Sequence, residues 1–233
     1  MGGSRLAKTA PYSTFDADVN RGRDSDLTRL ANEIRACRIC LDRPKGRPLP
    51  HEPRPVVRVG STARIAVCGQ APGTRVHASG VPFTDASGER LRSWMGVSDD
   101  EFYDVRRVAV VPMGFCFPGL DASGGDRPPR KECSTEWHER LFQALPQVDL
   151  LLLVGSYAQR WHLGTRCRET LTATVADWRT LAIPGPTRTQ SLARAFVAPH
   201  PSWRNNAWLK KNPWFETDLL PELRSEVRRR LDG

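Results

Sequence analysis

The stretch "ARIAVCGQAPG", residues 63–73, runs from a short apolar segment directly into two glycines and a proline. Its apolar part is too short for a helix and shows no alternation, the pattern of a strand covered on both faces. Three further runs repeat the pattern: "RVAVVPM" (107–113), "LLLLVG" (150–155) and "AFVAPH" (195–200). Helix-like segments fall between and beside them, near 87–95, 134–144, 155–162 and 168–176. This alternation predicts a three-layer α/β/α sandwich around a central, mainly parallel four-stranded sheet. A last amphipathic segment, Pro213 to Leu231, is expected to close the domain, with Pro213 in a first helical turn.

Open α/β sheets gather ligands at the carboxyl ends of their strands. Two loops rich in polar and special-backbone residues meet that edge: "GQAPG" (69–73) after the first strand and "HPSWRNN" (200–206) after the last. "GQAPG" lacks the Gly-Lys-Ser/Thr of a phosphate loop and the spacing of a dinucleotide fingerprint. Gly69 and Gly73 instead allow a tight turn that brings backbone amides close to a flat ligand. In "HPSWRNN", His200 is placed to donate to charge on a leaving group. Trp203 and Arg204 suit a nucleic-acid stack.

Composition sets the bounds. The 233 residues, 39% hydrophobic and 26% charged, suffice for one ordinary core. Residues 1–25 lack periodicity and read as a flexible tail; 26–233 form a single domain. From Asp26, "DLTRLANEIRACRIC" puts Leu27, Leu30, Ile34 and Cys37 at helical spacing, and "LDRPKGRPLPHEPRP" then reads as an extended loop. No apolar run reaches the roughly 18 residues of a spanning helix, and no secretory signal pattern is present, so a cytoplasmic protein without a membrane partner is expected. The formal charge of +9, with Arg far outnumbering Lys, suits a polyanionic partner, although Arg-rich surface charge alone produces the same balance.

The two motifs together resemble the uracil-DNA glycosylase superfamily, in which G-[QE]-x-P follows the first strand and H-P-S the last. "SGVPFTDASGERLRSWMG" (79–96) resembles the family's G-x-P-F segment. The resemblance implies hydrolysis of the N-glycosidic bond of uracil in DNA, single- or double-stranded, by a monomer that flips the base. It makes Phe83 the face that stacks on the base and His200 the residue that stabilises the departing uracil. Gly69, Gln70, Ala71, Pro72 and Gly73 would line the pocket, while Ser202, Trp203 and Arg204 would meet DNA. Two departures stand out. Where one type of relative has a water-positioning Asp after G-Q, this chain has Ala71; Asp85 is the nearest substitute, and capping of the next helix is its alternative role. Where relatives carry an Asn that reads the base edge, this chain has "VVPMGFCFPG" (110–119). Met113 and Gly114, or Asn205 and Asn206, would have to read it instead. Hypoxanthine or a damaged pyrimidine therefore remains open as substrate, as does binding of uracil or abasic DNA without turnover. A zinc-stabilised hydrolase of free nucleosides or nucleotides is the more distant alternative.

The resemblance is closest to the branch with "GEAPG"-type motifs, which binds a 4Fe-4S cluster through an early C-x-x-C and two later cysteines. Cys37 and Cys40 match the early pair, and Cys116 and Cys133 bracket a Pro-rich loop like the later one. Zinc on the same sulfurs is the rival, and free thiols the third possibility. Cys68, within a strand, reads as a small buried hydrophobe, and Cys167 has no assigned role.

Overall fold

The computed structural model describes residues 13–190 and 192–233. Four strands, β1 (Ile65–Cys68), β2 (Val108–Val110), β3 (Leu150–Val154) and β4 (Arg194–Ala198), form one sheet in the order β2-β1-β3-β4. Every pairing is parallel; Ile65 aligns with Val108 on one side and Leu150 on the other, and Leu152 aligns with Phe196. Every strand residue except Arg194 is buried, whichever face it points to. Both faces are therefore covered, and the absence of alternation in the sequence has its cause there. The architecture is the expected three-layer α/β sandwich.

The chain enters through α1 (Ser13–Arg35) and α2 (Ile39–Asp42). The tail was expected to extend to residue 25, but residues 13–25 form the first turns of α1. Residues 1–12 of that expected tail lie outside the described residues. The packed stripe Leu27, Leu30, Ala31 and Ile34 does lie on one face, as its spacing requires.

Between β1 and β2 come α3 (Thr74–Ser79), α4 (Ala86–Met95) and α5 (Asp99–Tyr103). Before β3, α6 (Lys131–Cys133) continues through a π turn, Ser134–His138, into α7 (Glu139–Gln143). Then follow α8 (Ser156–Leu163), α9 (Leu171–Ala176) and α10 (Trp178–Leu181), and after β4 come α11 (Asn206–Lys211) and α12 (Leu220–Leu231). A π turn, Phe215–Leu219, leads into α12, and Pro213 stands at the start of this last segment, its carbonyl accepting from the Glu216 and Thr217 N–H groups. Among the described residues no helix is long and apolar enough to cross a membrane.

The C-terminal helix is fixed to the sheet by charge as well as by its apolar face. Glu226, 7% exposed, accepts from Arg230 and Arg229 at 2.6 Å each, and Arg230 also pairs with Asp149 at the foot of β3. Burial opposes ionisation of Glu226, yet these arginines hold its carboxyl below the usual range. Glu101 closes a capping box on α5 with Ser98 and also accepts from Arg228 at 2.8 Å. The Arg228 hydrogen bond leads in lowering its pKa from 4.5 to about 2.

Two outcomes follow from this charge network. Glu226→Ala leaves the buried Arg230 short of a partner and lowers unfolding free energy by about 3 kcal/mol in urea titration. The stability supplied by Glu101 is fully present above its ordinary pKa of 4.5 and is lost as pH falls towards about 2. Melting temperatures of Glu101→Gln should therefore decline less steeply over that acid range than those of the unaltered protein.

Candidate active site

A cavity of about 300 Å³ opens at the carboxyl ends of β1, β2 and β4. Its wall contains Gly69 to Gly73, Phe83, Asp85, Pro112, Asp126 and His200. The "GQAPG" turn is pinned to the segment after β2, because Met113 N–H donates to Gly69 O and Gly114 N–H to Gln70 O, each at 2.9 Å. Those two amides are thereby consumed, and Met113 itself is 4% exposed. Pro112, not Met113 or Gly114, faces the cavity.

Phe83 is the one described non-glycine residue with positive φ, at 57°. That left-handed backbone costs energy for a bulky side chain and persists only where its surroundings impose it. Three groups impose it. The Phe83 carbonyl accepts from Arg92 Nη1 at 2.9 Å and lies 3.0 Å from the Tyr103 hydroxyl. Arg92 is itself buried, ion-paired with Asp99 at 2.6 Å and packed against the Phe102 and Tyr103 rings. Gly88 leaves the carbonyl its space, since a Cβ there would sit 1.8 Å from Phe83 O. The ring then leans on the edge of Phe102 and reaches Gly69, where an added Cβ would lie 3.3 Å from Cζ.

His200 has a defined tautomer. The Ser202 N–H points at Nδ1 from 3.3 Å, so Nδ1 accepts and Nε2 carries the proton in the neutral ring. Burial lowers the His200 pKa, while the charges of Asp85 and Asp126 act in the opposite direction. The loop around it is braced from both sides: Asn205 Nδ2 donates to His200 O at 2.7 Å, and Arg90 of α4 donates to Ser202 O and to Asn206 Oδ1. Asp85 caps α4 by accepting from the Gly88 N–H at 3.1 Å, and it also lines the cavity. Its two suggested roles thus coexist in position.

Of the residues marked in the sequence, Gly69, Gln70, Ala71, Pro72, Gly73, Phe83, Asp85 and His200 are brought together around this cavity. Met113, Gly114, Asn205 and Asn206 are not in its wall; they hold the two motif loops in place through the bonds just described. Ser202, Trp203 and Arg204 follow His200 on the last loop. Trp203 is 71% exposed with the Arg204 guanidinium 5.3 Å from its ring centroid. The segment 74–79 is the short helix α3 between Gly73 and Gly80.

Asp126 was missed. It lies in "GGDRPPR" (124–130), part of the loop between Cys116 and Cys133 that was noticed only for those cysteines. The residue is exposed overall, but partial desolvation of its carboxyl where it lines the cavity raises its pKa.

The sequence model of the Uracil DNA glycosylase superfamily matches residues 57–224, most of this chain and all four strands. The chain belongs to that superfamily. It is a DNA glycosylase, and its cavity occupies the sheet edge at which both motif loops end.

In this glycosylase the four cysteines also converge. Cys37, Cys40, Cys116 and Cys133 line one small cavity with Leu49, Pro53, Pro55 and Phe115. Among the described residues no three His, Cys, Asp or Glu side chains are grouped to hold a single metal ion. The donors around this cavity are all sulfur, set among apolar side chains. Cys40 and Cys133 share a hydrogen bond that lowers the Cys40 pKa to about 7 and raises that of Cys133. Burial pushes Cys116 up to about 12. Cys68 is fully buried in β1, and Cys167 packs against the core with its sulfur near the Arg168 carbonyl and the Thr174 hydroxyl.

Gly88→Ala tests the constraint on Phe83. The added methyl collides with the Phe83 carbonyl, so thermal unfolding should show a loss of about 3 kcal/mol. An unchanged melting temperature would mean that the backbone at Phe83 is not held as described.

Proposed function

We propose that the protein excises uracil from DNA as a monomeric, cytoplasmic enzyme, hydrolysing the N-glycosidic bond and leaving an abasic site. One observation carries the reading: Phe83 and His200, whose neutral ring keeps its proton on Nε2, line the same cavity as the "GQAPG" turn. A glycosidic bond inside a duplex is out of reach, so the nucleotide must first leave the stack. The exposed Trp203 suits the gap it vacates, and Ser202 and Arg204 suit the flanking phosphates. The pyrimidine then lies against Phe83, with Gln70 and the backbone of 69–73 along its rim.

As the bond to C1′ breaks, the base leaves with its electron pair and negative charge gathers on its carbonyl oxygen. The Nε2–H of His200 donates to that oxygen, a contact that strengthens in the transition state. Positive charge develops on the sugar at the same time. Asp85, a carboxylate of the cavity wall anchored by its cap bond, would offset that charge.

The cysteine cavity supports an iron–sulfur cluster, with Cys37, Cys40, Cys116 and Cys133 as the residues that would hold it. Held by those four residues, such a cluster would pin the segment after α1 to both ends of the 116–133 loop and would supply structure, not chemistry, to the hydrolysis.

A second reading has a specific observation behind it. Pro112 offers no N–H to the base, and the amides of Met113 and Gly114 are already bonded. Edge recognition thus falls to few groups, which favours a wider base range that includes hypoxanthine.

Incubation with uracil- or hypoxanthine-containing oligonucleotides, followed by alkali, separates these readings. Strand breakage at uracil is expected; breakage only at hypoxanthine would establish the second reading, and none at either would leave a binding protein. His200→Asn should lower single-turnover excision by about 100-fold. Because burial depresses the His200 pKa, the neutral donor persists below the ordinary value of 6.5, and the rate should not break there as pH is lowered. Anaerobically purified protein should carry about four iron atoms per chain and be brown; zinc in their place would contradict the cluster.

A further inference from the structure

The carboxylate of Asp126 stands out among the charged groups of the cavity because no group of the described residues bonds to it. A Cβ built at Gly73 would lie 3.4 Å from Asp126 Oδ2, so the carboxylate hangs over the "GQAPG" turn at its far end. Asp126 enters from a separate loop, held by a bridge between Leu120 and Asp126 and by Asp121, which accepts from the Ser123 and Gly125 amides. No hydrogen bond or ion pair reaches the Asp126 carboxylate among the described residues, although the residue is exposed on the loop and the chain is rich in arginine. Asp85, by contrast, spends one oxygen on the Gly88 amide. The charged groups that face Asp126 are His200 and Arg204 from the last motif loop and Asp121 from its own.

Ala71 lines the same cavity with a methyl, so the "GQAPG" turn brings no carboxylate of its own. Its Cβ lies near the segment that follows Asp126: a Cβ built at Gly114 would touch Ala71 Cβ at 3.4 Å and meet Pro129 and the Arg130 amide at 3.2 Å. The carboxylates of the wall are Asp85 and Asp126, and of the two Asp126 is the one that makes no hydrogen bond among the described residues.

We propose that Asp126 is a catalytic residue that orients the attacking water and accepts its proton; this rests on the glycosidase reading above. The water oxygen forms a bond to C1′ as the bond from C1′ to the base nitrogen breaks. The base departs with that electron pair, the water's proton passes to Asp126, and the product sugar carries a hydroxyl at C1′. Before proton transfer the same carboxylate, ionised, offsets the positive charge growing on the sugar. The leaving base and His200 occupy the other side of the reacting carbon. Asp126 needs no partner within the protein in this role, since its partners are the water and the sugar.

The test compares Asp126→Asn with the unaltered protein in two assays. In single-turnover excision of uracil from an oligonucleotide, the variant should be about 100-fold slower, with the rate no longer rising with pH through the carboxylate range. In binding, the unaltered protein should prefer an oligonucleotide with a cationic pyrrolidine at the target sugar over one with a neutral tetrahydrofuran. Asp126→Asn should lose that preference and keep its affinity for the neutral analogue. Excision by the variant at the unaltered rate, or a cationic preference that survives the substitution, overturns the role of Asp126. If the unaltered protein breaks no strand yet shows an Asp126-dependent cationic preference, the glycosidase reading fails while the placement of Asp126 stands. Absence of any cationic preference in the unaltered protein overturns the proposal independently of turnover.

Discussion

The site depends on the hydrogen bonding of one carbonyl group, that of Phe83. A phenylalanine left to itself avoids a φ of 57°, and the cost of order 1–3 kcal/mol must be offset by what surrounds it. Arg92 is buried, and Phe83 O and Asp99 satisfy it; Tyr103 brings a hydroxyl to the same carbonyl. A side chain at residue 88 would collide with that carbonyl and push it out of place. The result is an aromatic ring that packs on Phe102 at the edge of the core and lines the cavity, fixed before any ligand arrives. Preorganisation of this kind removes the rearrangement a mobile ring would undergo on binding.

The sheet supplies the second constraint. Parallel strands end at a common edge, so the turn after β1, the segment after β2 and the loop after β4 are neighbours whatever their sequences. The chain then spends its amides on joining them. Gly69 and Gln70 carbonyls bind the amides of Met113 and Gly114, and Arg90 reaches from α4 to the Ser202 carbonyl. The cavity is rigid because its loops are bonded to one another as well as to their strands. Asn205 belongs to the same bracing: by holding the His200 carbonyl while the Ser202 amide holds Nδ1, the loop fixes both the position and the tautomer of the imidazole.

The strands were legible because burial on both faces leaves unbroken apolar runs, as in "LLLLV" between Leu150 and Val154. The motif loops were legible because a glycine or proline and a lone imidazole at a strand end have few other uses. Asn205 and Asn206 were ambiguous in the sequence for a physical reason: a carboxamide serves equally to read a base or to hold a neighbouring loop, and only the fold shows which groups are near. Asp126 was invisible for the converse reason. It stands 55 residues after Ala71, in a Gly- and Pro-rich loop with no periodicity, and only the tertiary seam at Gly114 brings it to Gly73. The early turns of α1 escaped notice because their sequence, "STFDADVNRGRDS" (13–25), has no continuous apolar stripe. Likewise "TRVHAS" is too short and polar to announce α3.

The central claim is that a flipped uracil rests on Phe83 with His200 at its carbonyl oxygen. A crystal structure of the protein with an oligonucleotide carrying 2′-fluoro-2′-deoxyuridine, which resists hydrolysis, tests it most directly. The account predicts the uracil ring against Phe83 with its O2 within hydrogen-bonding distance of His200 Nε2. A base still stacked in the DNA, or one bound outside this cavity, would contradict it.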